Sequence, residues 1–368
     1  MSCSTRLSAR PWVLKPAKMA YDFRQDVVKL IKLTSAGDVQ AVRQFPALTT
    51  VAAGTDDQGH TPLHHAAHCG RDSIVTELID AWADVDAADK EGCTPLHLAA
   101  LGRGGTSSTV QLLLEAGADA CRPGQRSMLP LHFAAAFGCT STVGLLIEAM
   151  QKADASLDTG DSTGITSLQG AAYRGRMDVV LLLLSKGASV NAIDSSGHAP
   201  LHEAARAGNG AVGQALLEAG AAPNLACAAG STALHAAATN NHEGMVKLLL
   251  SKGAAVDAVD GRGWTALHYA VVKGHEAVVT VLVNARAALD ITSSSDGQTV
   301  LHLAARAKHA AVLQTLIAAG ADVSAKEATG CTPLHWAAYS GCTVCIAVLV
   351  EAHAHVDVVG KRSQPWPY

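Results

Sequence analysis

The nine residues GCTPLHLAA stand at 92–100, and GCTPLHWAA stands at 330–338. Related copies lie between and before them: TPLHHAA from Thr61, LPLHFAA from Leu129, TSLQGAA from Thr166, APLHEAA from Ala199, TALHAAA from Thr232, TALHYAV from Thr265 and TVLHLAA from Thr299. Successive copies are 33, 35, 37, 33, 33, 33, 34 and 33 residues apart. A period of this size constrains the fold more than any other feature. Each copy is one supersecondary unit whose apolar face only a neighbouring copy can cover. A chain of 368 residues would otherwise suggest two or three globular domains. Nine copies in register predict instead one elongated array over 23–359, preceded by an extension over 1–22 and followed by a tail over 360–368.

The physical content of one copy is legible in residues 260–292, DGRGWTALHYAVVKGHEAVVTVLVNARAALDIT. Asp260 and Gly263 suit a tight turn, where Asp bonds its own backbone and Gly accepts positive φ. Thr265 is placed to cap a helix, and in the copies at 61, 94 and 332 Pro follows at the first helical position, where its missing N–H costs nothing. Gly274 ends that helix. Val278, Val279, Leu282 and Val283 then recur at helical spacing. The unit is turn, helix, loop, helix, and neither helix is long enough to be stable alone in water.

The full pattern, DxxGxTPLHxAA, then Gly, then VxxLLxxGAxVxAxD, as in 161–194 and 296–325, resembles the ankyrin repeat family. The resemblance implies an all-α chain: an ankyrin-type α-solenoid of stacked antiparallel helix pairs with projecting β-hairpin-like loops and a concave groove. It also implies a non-catalytic protein-interaction module, an adaptor or scaffold. Residues 23–44 read as a degenerate tenth unit, since Gly37 and Val42 fall 33 residues before Gly70 and Val75. At the other end, the apolar helix at 343–352 needs a cover, which the tail with Trp366 and Tyr368, or a partner, would supply.

Composition fits thin stacked repeats: aromatic residues make up only 4% of the chain. With 28 Lys and Arg against 32 Asp and Glu, net charge implies neither a nucleic-acid nor a membrane partner, and any electrostatic preference must be local. The longest apolar runs, VVLLLL at 179–184 and VVTVLV at 278–283, fall far short of the roughly 18 residues of a membrane span, so no membrane insertion is expected. Nine cysteines in no framework spacing favour a reducing, cytoplasmic setting. The first 21 residues carry Arg6, Arg10, Lys15 and Lys18 and no acid, which resembles an organelle transit peptide; Pro11 and Pro16 interrupt any amphipathic helix there, which favours the alternative of a disordered lead-in with Trp12, Val13 and Leu14 folded back over the first repeat.

Seventeen histidines raise the question of a metal. Eight (His64, His97, His132, His202, His235, His268, His302 and His335) are the fourth letter of the signature, which in the family bonds between loops. His242, His275 and His309 follow the loop between helices, another structural position of the family. The sharper metal candidates are His64 with His68, one helical turn apart, and the Cys342-Thr-Val-Cys345 run with His353 and His355. His64 is a scaffold letter, and Cys345 takes the core slot of Val278. No metal and no cofactor are therefore expected, and a metal- or thiol-regulated switch is a weak alternative. No phosphate-cradling loop, nucleophile elbow or paired carboxylates outside the turns appear, so no enzyme is expected. Asn191 in LLLLSKGASVNAID, eight residues after Leu183, resembles the asparagine that is hydroxylated in many ankyrin repeats.

If folding fixes the scaffold letters, recognition lies in the varying ones: the hairpin tips and the residues after the Ala-Ala pair. These include Asp57, Gln58, His60 and His68 in the first copy and Lys90, Glu91 and Leu101 in the second. From the third copy onward cations outnumber acids: Arg126, Arg174, Arg206, Arg262, Lys273 and Arg306, with Tyr173, His198, Trp264, Trp336 and Tyr339 interleaved. Arg, Trp and Tyr are the residues that dominate interface hot spots. The expected partner is a protein, met through an acidic or phosphorylated segment at 126–340. The alternative is a constitutive structural subunit of a larger assembly.

Overall fold

The computed structural model of the chain describes residues 18–102, 107–137 and 139–356. The transit-like segment up to residue 17 and the tail with Trp366 and Tyr368 lie outside them. Among the described residues all regular structure is helical, and internal contacts divide the chain into two units, Met1–Gln125 and Arg126–Tyr368.

Local sequence explains each helix pair. Thr265 has extended backbone (φ −92°, ψ 169°) and caps the helix Ala266–Lys273. That helix stops at Gly274, which is left-handed at φ 72°. A Cβ at Gly274 would also lie 2.6 Å from the ring of His309 in the next repeat, so two independent constraints select glycine. The second helix, Glu276–Asn284, buries Val278, Val279 and Leu282 completely, and the first buries Ala266, Leu267, Ala270 and Val271. Full burial of a Leu or Val side chain contributes about 1.5–3 kcal/mol, which offsets the nucleation cost that a helix of two turns cannot meet alone. The paired alanines Ala204–Ala205 and Ala304–Ala305 are 0% exposed. Small side chains there let first helices of successive repeats lie close together, and larger ones would overpack the stack.

The expected β-hairpin-like loops take a simpler form. No strand occurs among the described residues. Several tips are turns held by an acidic side chain: Asp194 Oδ1 accepts the backbone N–H groups of Ser196 (2.8 Å) and His198 (2.9 Å). Asp161 and Asp260 do the same for the residues two and four positions on. Successive tips in the second unit share one backbone bond: Ser195 N–H to Thr163 O, Ala228 to Ser196 O, Gly261 to Ala229 O and Ser294 to Arg262 O, each 2.9 Å. One rung per repeat is too few for a strand ladder. It does demand close approach, because a Cβ on Gly197 (φ 79°) would sit 2.8 Å from Ala228 N.

In the first unit the segment 23–44 lies in the helices Lys18–Ala36 and Val39–Arg43, with Val27, Leu30 and Val42 buried. At the end of the second unit the helix Thr343–Glu351 buries Cys345 and Leu349 but leaves Val344 58% and Val350 46% exposed.

Candidate functional site

The signature histidines form a built hydrogen-bonding device. In the first repeat Thr61 N–H donates to His64 Nδ1 at 3.0 Å, and His64 Nε2 reaches Cys93 O of the next repeat at 3.0 Å. The bonds repeat at His202 (Ser231 O, 3.2 Å), His235 (Trp264 O, 3.0 Å), His268 (Ile291 O, 3.1 Å) and His302 (Cys331 O, 3.1 Å). An imidazole that accepts at Nδ1 must carry its proton at Nε2, so these rings are neutral. Burial accordingly depresses the pKa of His64, His132, His202, His235 and His302, and takes His268 down to about 4. Gln169 makes the equivalent pair of bonds, with its Oε1 accepting from Thr166 N–H (2.8 Å) and its amide donating to His198 O (2.6 Å). These histidines are bonded into the scaffold through both ring nitrogens.

The histidines after the loop bond backward. His242 reaches Arg206 O, His275 reaches Thr239 O and His309 reaches Val272 O, each at 3.1 Å. Cys342 fills the same position at the head of the last helix and there pairs with Cys345 in a disulfide, their Cα atoms 5.2 Å apart. Placing Cys-x-x-Cys across the first helical turn brings the two Cα atoms inside disulfide range. In this bonded form the pair offers no thiolate to zinc. Among the described residues the group able to hold a metal lies elsewhere, at Asp56, His60 and His65 of the first unit.

The basic and aromatic candidates all fall in the second unit. Arg126 is exposed within the turn Gln125–Ser127 with φ 56°, and its carbonyl accepts from Ser162 N–H at 2.7 Å. Arg174, Arg262 and Lys273 are exposed and make no ion pair among the described residues. Arg206 is already engaged: its guanidinium pairs with Glu203 and lies 4.4 Å above the Tyr173 ring. Arg306 lies over Trp336 at 5.5 Å, and Trp336 meets Tyr339 edge-on at 5.8 Å. Trp264 stacks on His268 (5.9 Å) and meets the edge of Tyr269 (5.1 Å). His198 Nδ1 faces Asp194 Oδ2 at 3.5 Å.

The sequence could not show that the acids of this region are occupied. Asp161, Asp194 and Asp260 spend one oxygen each on backbone N–H groups, and Tyr269 donates to the other oxygen of Asp260 at 2.5 Å. Desolvation raises the pKa of Asp260, but the Tyr269, Trp264 and Arg262 hydrogen bonds outweigh it and the net shift is downward. Despite desolvation, Asp161 is likewise held below the usual carboxylate range by its bonds to Thr163 and Ile165, so these carboxylates turn into the loops, while Arg174, Arg262 and Lys273 are exposed.

Asn191 is exposed and uses both ends of its amide on the next repeat, accepting from Ala222 N–H (3.0 Å) and donating to Gly220 O (3.3 Å). Asn224 repeats the pair with Ala255 and Gly253.

Comparison with known proteins agrees with this architecture. The profile for ankyrin repeats (3 copies) matches residues 25–123, 103–194, 131–227, 201–295 and 286–359. The 2-5A-dependent ribonuclease of Mus musculus is 37% identical over 78 residues, which span 21% of this chain and only 11% of that protein. Among solved structures, the ankyrin repeat domain of Bcl-3, described as a unique member of the IkappaB protein family, aligns with a TM-score of 0.55 at 30% identity. The alignment covers 61% of this chain and all of that domain. With the profile matched across 25–359 and the same capped helix pairs throughout, the chain belongs to the ankyrin repeat family.

Proposed function

We propose that this chain is a non-catalytic adaptor or scaffold whose second unit binds an acidic or phosphorylated segment of a partner protein. The observation that carries this reading is the division of charge in that unit. One oxygen each of Asp161, Asp194 and Asp260 accepts backbone N–H groups, while Arg174, Arg262 and Lys273 are exposed and make no ion pair among the described residues, with Tyr173, Trp264, Trp336 and Tyr339 in the same unit. Guanidinium groups near aromatic faces suit carboxylate and phosphate, through charge-assisted and bidentate bonds. The test is fluorescence anisotropy of labelled peptides on the full chain: Glu-rich, phosphoserine-containing and neutral scrambled versions. Acidic peptides should bind at least about tenfold more tightly than neutral ones and weaken with salt. The triple reversal Arg174→Glu, Arg262→Glu and Lys273→Glu should abolish that preference. Equal binding of neutral peptides, indifference to the reversal, or equal competition by an oligonucleotide would refute the assignment.

One observation favours a second reading, a permanent subunit of a larger assembly: the exposure of Val344 and Val350 on the last helix. On that reading a salt-resistant partner of fixed stoichiometry is lost when Val344→Lys and Val350→Lys are introduced and is retained by the charge reversal.

A further inference from the structure

We infer that Asp56, His60 and His65 form a zinc site, supported by Asp89, in the first repeat. One ligand atom from each of the three lies within 4.8 Å of the other two. His65 Nε2 is 2.9 Å and His60 Nδ1 is 3.4 Å from the same oxygen, Asp56 Oδ2. Ligand atoms around a tetrahedral zinc with bonds of about 2.0–2.1 Å are about 3.3 Å apart, so small side-chain rotations complete the set. Two imidazoles and one carboxylate suit zinc and poorly suit calcium or magnesium, which prefer oxygen donors.

The groups that would orient these ligands are also in place. Asp56 Oδ1 accepts the backbone N–H groups of Gln58 and His60, each at 2.9 Å, which leaves Oδ2 for the metal. The far nitrogen of His60 faces Asp89 Oδ2 at 3.3 Å, and the Asp89 side chain is only 4% exposed. Asp89 is in turn fixed by the N–H groups of Glu91 (2.8 Å) and Cys93 (2.9 Å). A buried carboxylate on the outer nitrogen of a liganding histidine orients the ring and raises its basicity. The side chains of Asp56, His60 and His65 are 24%, 27% and 26% exposed, so an open coordination position reaches solvent and is left to water or to a side chain from outside.

The other repeats show what the same positions do without a metal. Asp260, Trp264 and Tyr269 correspond to Asp56, His60 and His65, and Tyr269 bonds Asp260 at 2.5 Å. Among the nine copies only the first carries His at both of these variable positions. Helical spacing alone points instead to His64 and His68. The pattern that marks this cluster is a His on the tip, His60, joined through Asp56 to a His on the helix, His65.

The test uses the full chain with Cys342→Ser and Cys345→Ser, stripped with chelator and titrated with zinc against a chromophoric competitor. One equivalent should bind. His65→Tyr and His60→Trp, which install the residues of the repeat at 260–269 and so preserve the fold, should each abolish that equivalent. Asp89→Asn should weaken it by about 10–100-fold. Cobalt(II) should give d–d bands without a thiolate charge-transfer band. Absence of zinc binding, retention of the equivalent in His65→Tyr, or a thiolate band would overturn the assignment. The proposed peptide-binding residues lie in the other unit, so neither outcome bears on them.

Discussion

Acid should loosen this protein through its signature histidines, and His268 allows the effect to be worked out. It is 0% exposed, accepts from Thr265 N–H at Nδ1 (3.1 Å) and reaches Ile291 O through Nε2 (3.1 Å). Burial lowers its pKa, and the Ile291 bond and Asp260 pull it back only in part, leaving about 4, with His235 adding to the depression. An unfolded imidazole titrates near ~6.5. The folded chain therefore favours the neutral ring. The associated stability is complete above about pH 6.5 and is lost as pH falls toward the folded value near 4. Within that window unfolding takes up one extra proton at this site. The slope is up to about 1.4 kcal/mol per pH unit, and the total on the order of 3 kcal/mol.

His268→Gln isolates the effect, because Gln169 already makes the equivalent two bonds with a side chain that does not titrate. Repeat arrays lose two-state behaviour, so the assay is native-state hydrogen exchange at the amides of 265–273 between about pH 5 and 7.5, corrected for intrinsic rates. The Gln variant should match the parent within about 1 kcal/mol at the upper end of that range and lose less stability at the lower end. His268→Ala should be weaker at every pH, since orphaning a buried donor or acceptor costs about 1–3 kcal/mol. Protonation of His268 is refuted as the cause if the Gln variant softens in acid as steeply as the parent. The equivalence of Gln and His is refuted if the Gln variant is as damaged as the Ala variant at neutral pH.

Three further outcomes are expected. Gly197→Ala should cost clearly more than Gly220→Ala, although both are at positive φ (79° and 91°): a Cβ at 197 meets Ala228 N at 2.8 Å, whereas none lies within 4 Å at 220. Chemical denaturation of the two variants provides the comparison. Asn191→Asp keeps the acceptor for Ala222 N–H and loses the donor to Gly220 O, so it should destabilise less than Asn191→Ala, by a margin near ~1 kcal/mol. Thermal melts of both variants test this. Arg206→Ala should weaken acidic-peptide binding less than Arg174→Ala, because Arg206 is already held by Glu203 and Tyr173; anisotropy titrations that ranked them the other way would contradict the charge assignment.

The fold was legible because its determinants are local and repeated. Thr265 and Gly274 start and stop one short helix, and the period of about 33 residues repeats the same instructions down the chain. The scaffold role of His64 or His302 was equally legible, since the position recurs in eight copies. The motif fixes the turn at Asp194 and Gly197 but not the number of bonds between neighbouring tips, which is one backbone bond for each successive pair in the second unit.

The sequence by itself determined the unit, its caps, its left-handed glycines and the alternation of buried small residues with varying exposed ones. Only the tertiary structure decided which of the varying residues meet. Arg206 over Tyr173 and Arg306 over Trp336 are contacts between repeats, 33 and 30 positions apart. Asp56, His60, His65 and Asp89 converge because a hairpin tip folds back over its own helix while the next tip is held beside it by one backbone bond, Lys90 N–H to Gln58 O. Periodicity specifies each unit separately. The direction in which a side chain leaves one unit, and what it finds on the next, depend on the stacking geometry, which arises only when the units pack.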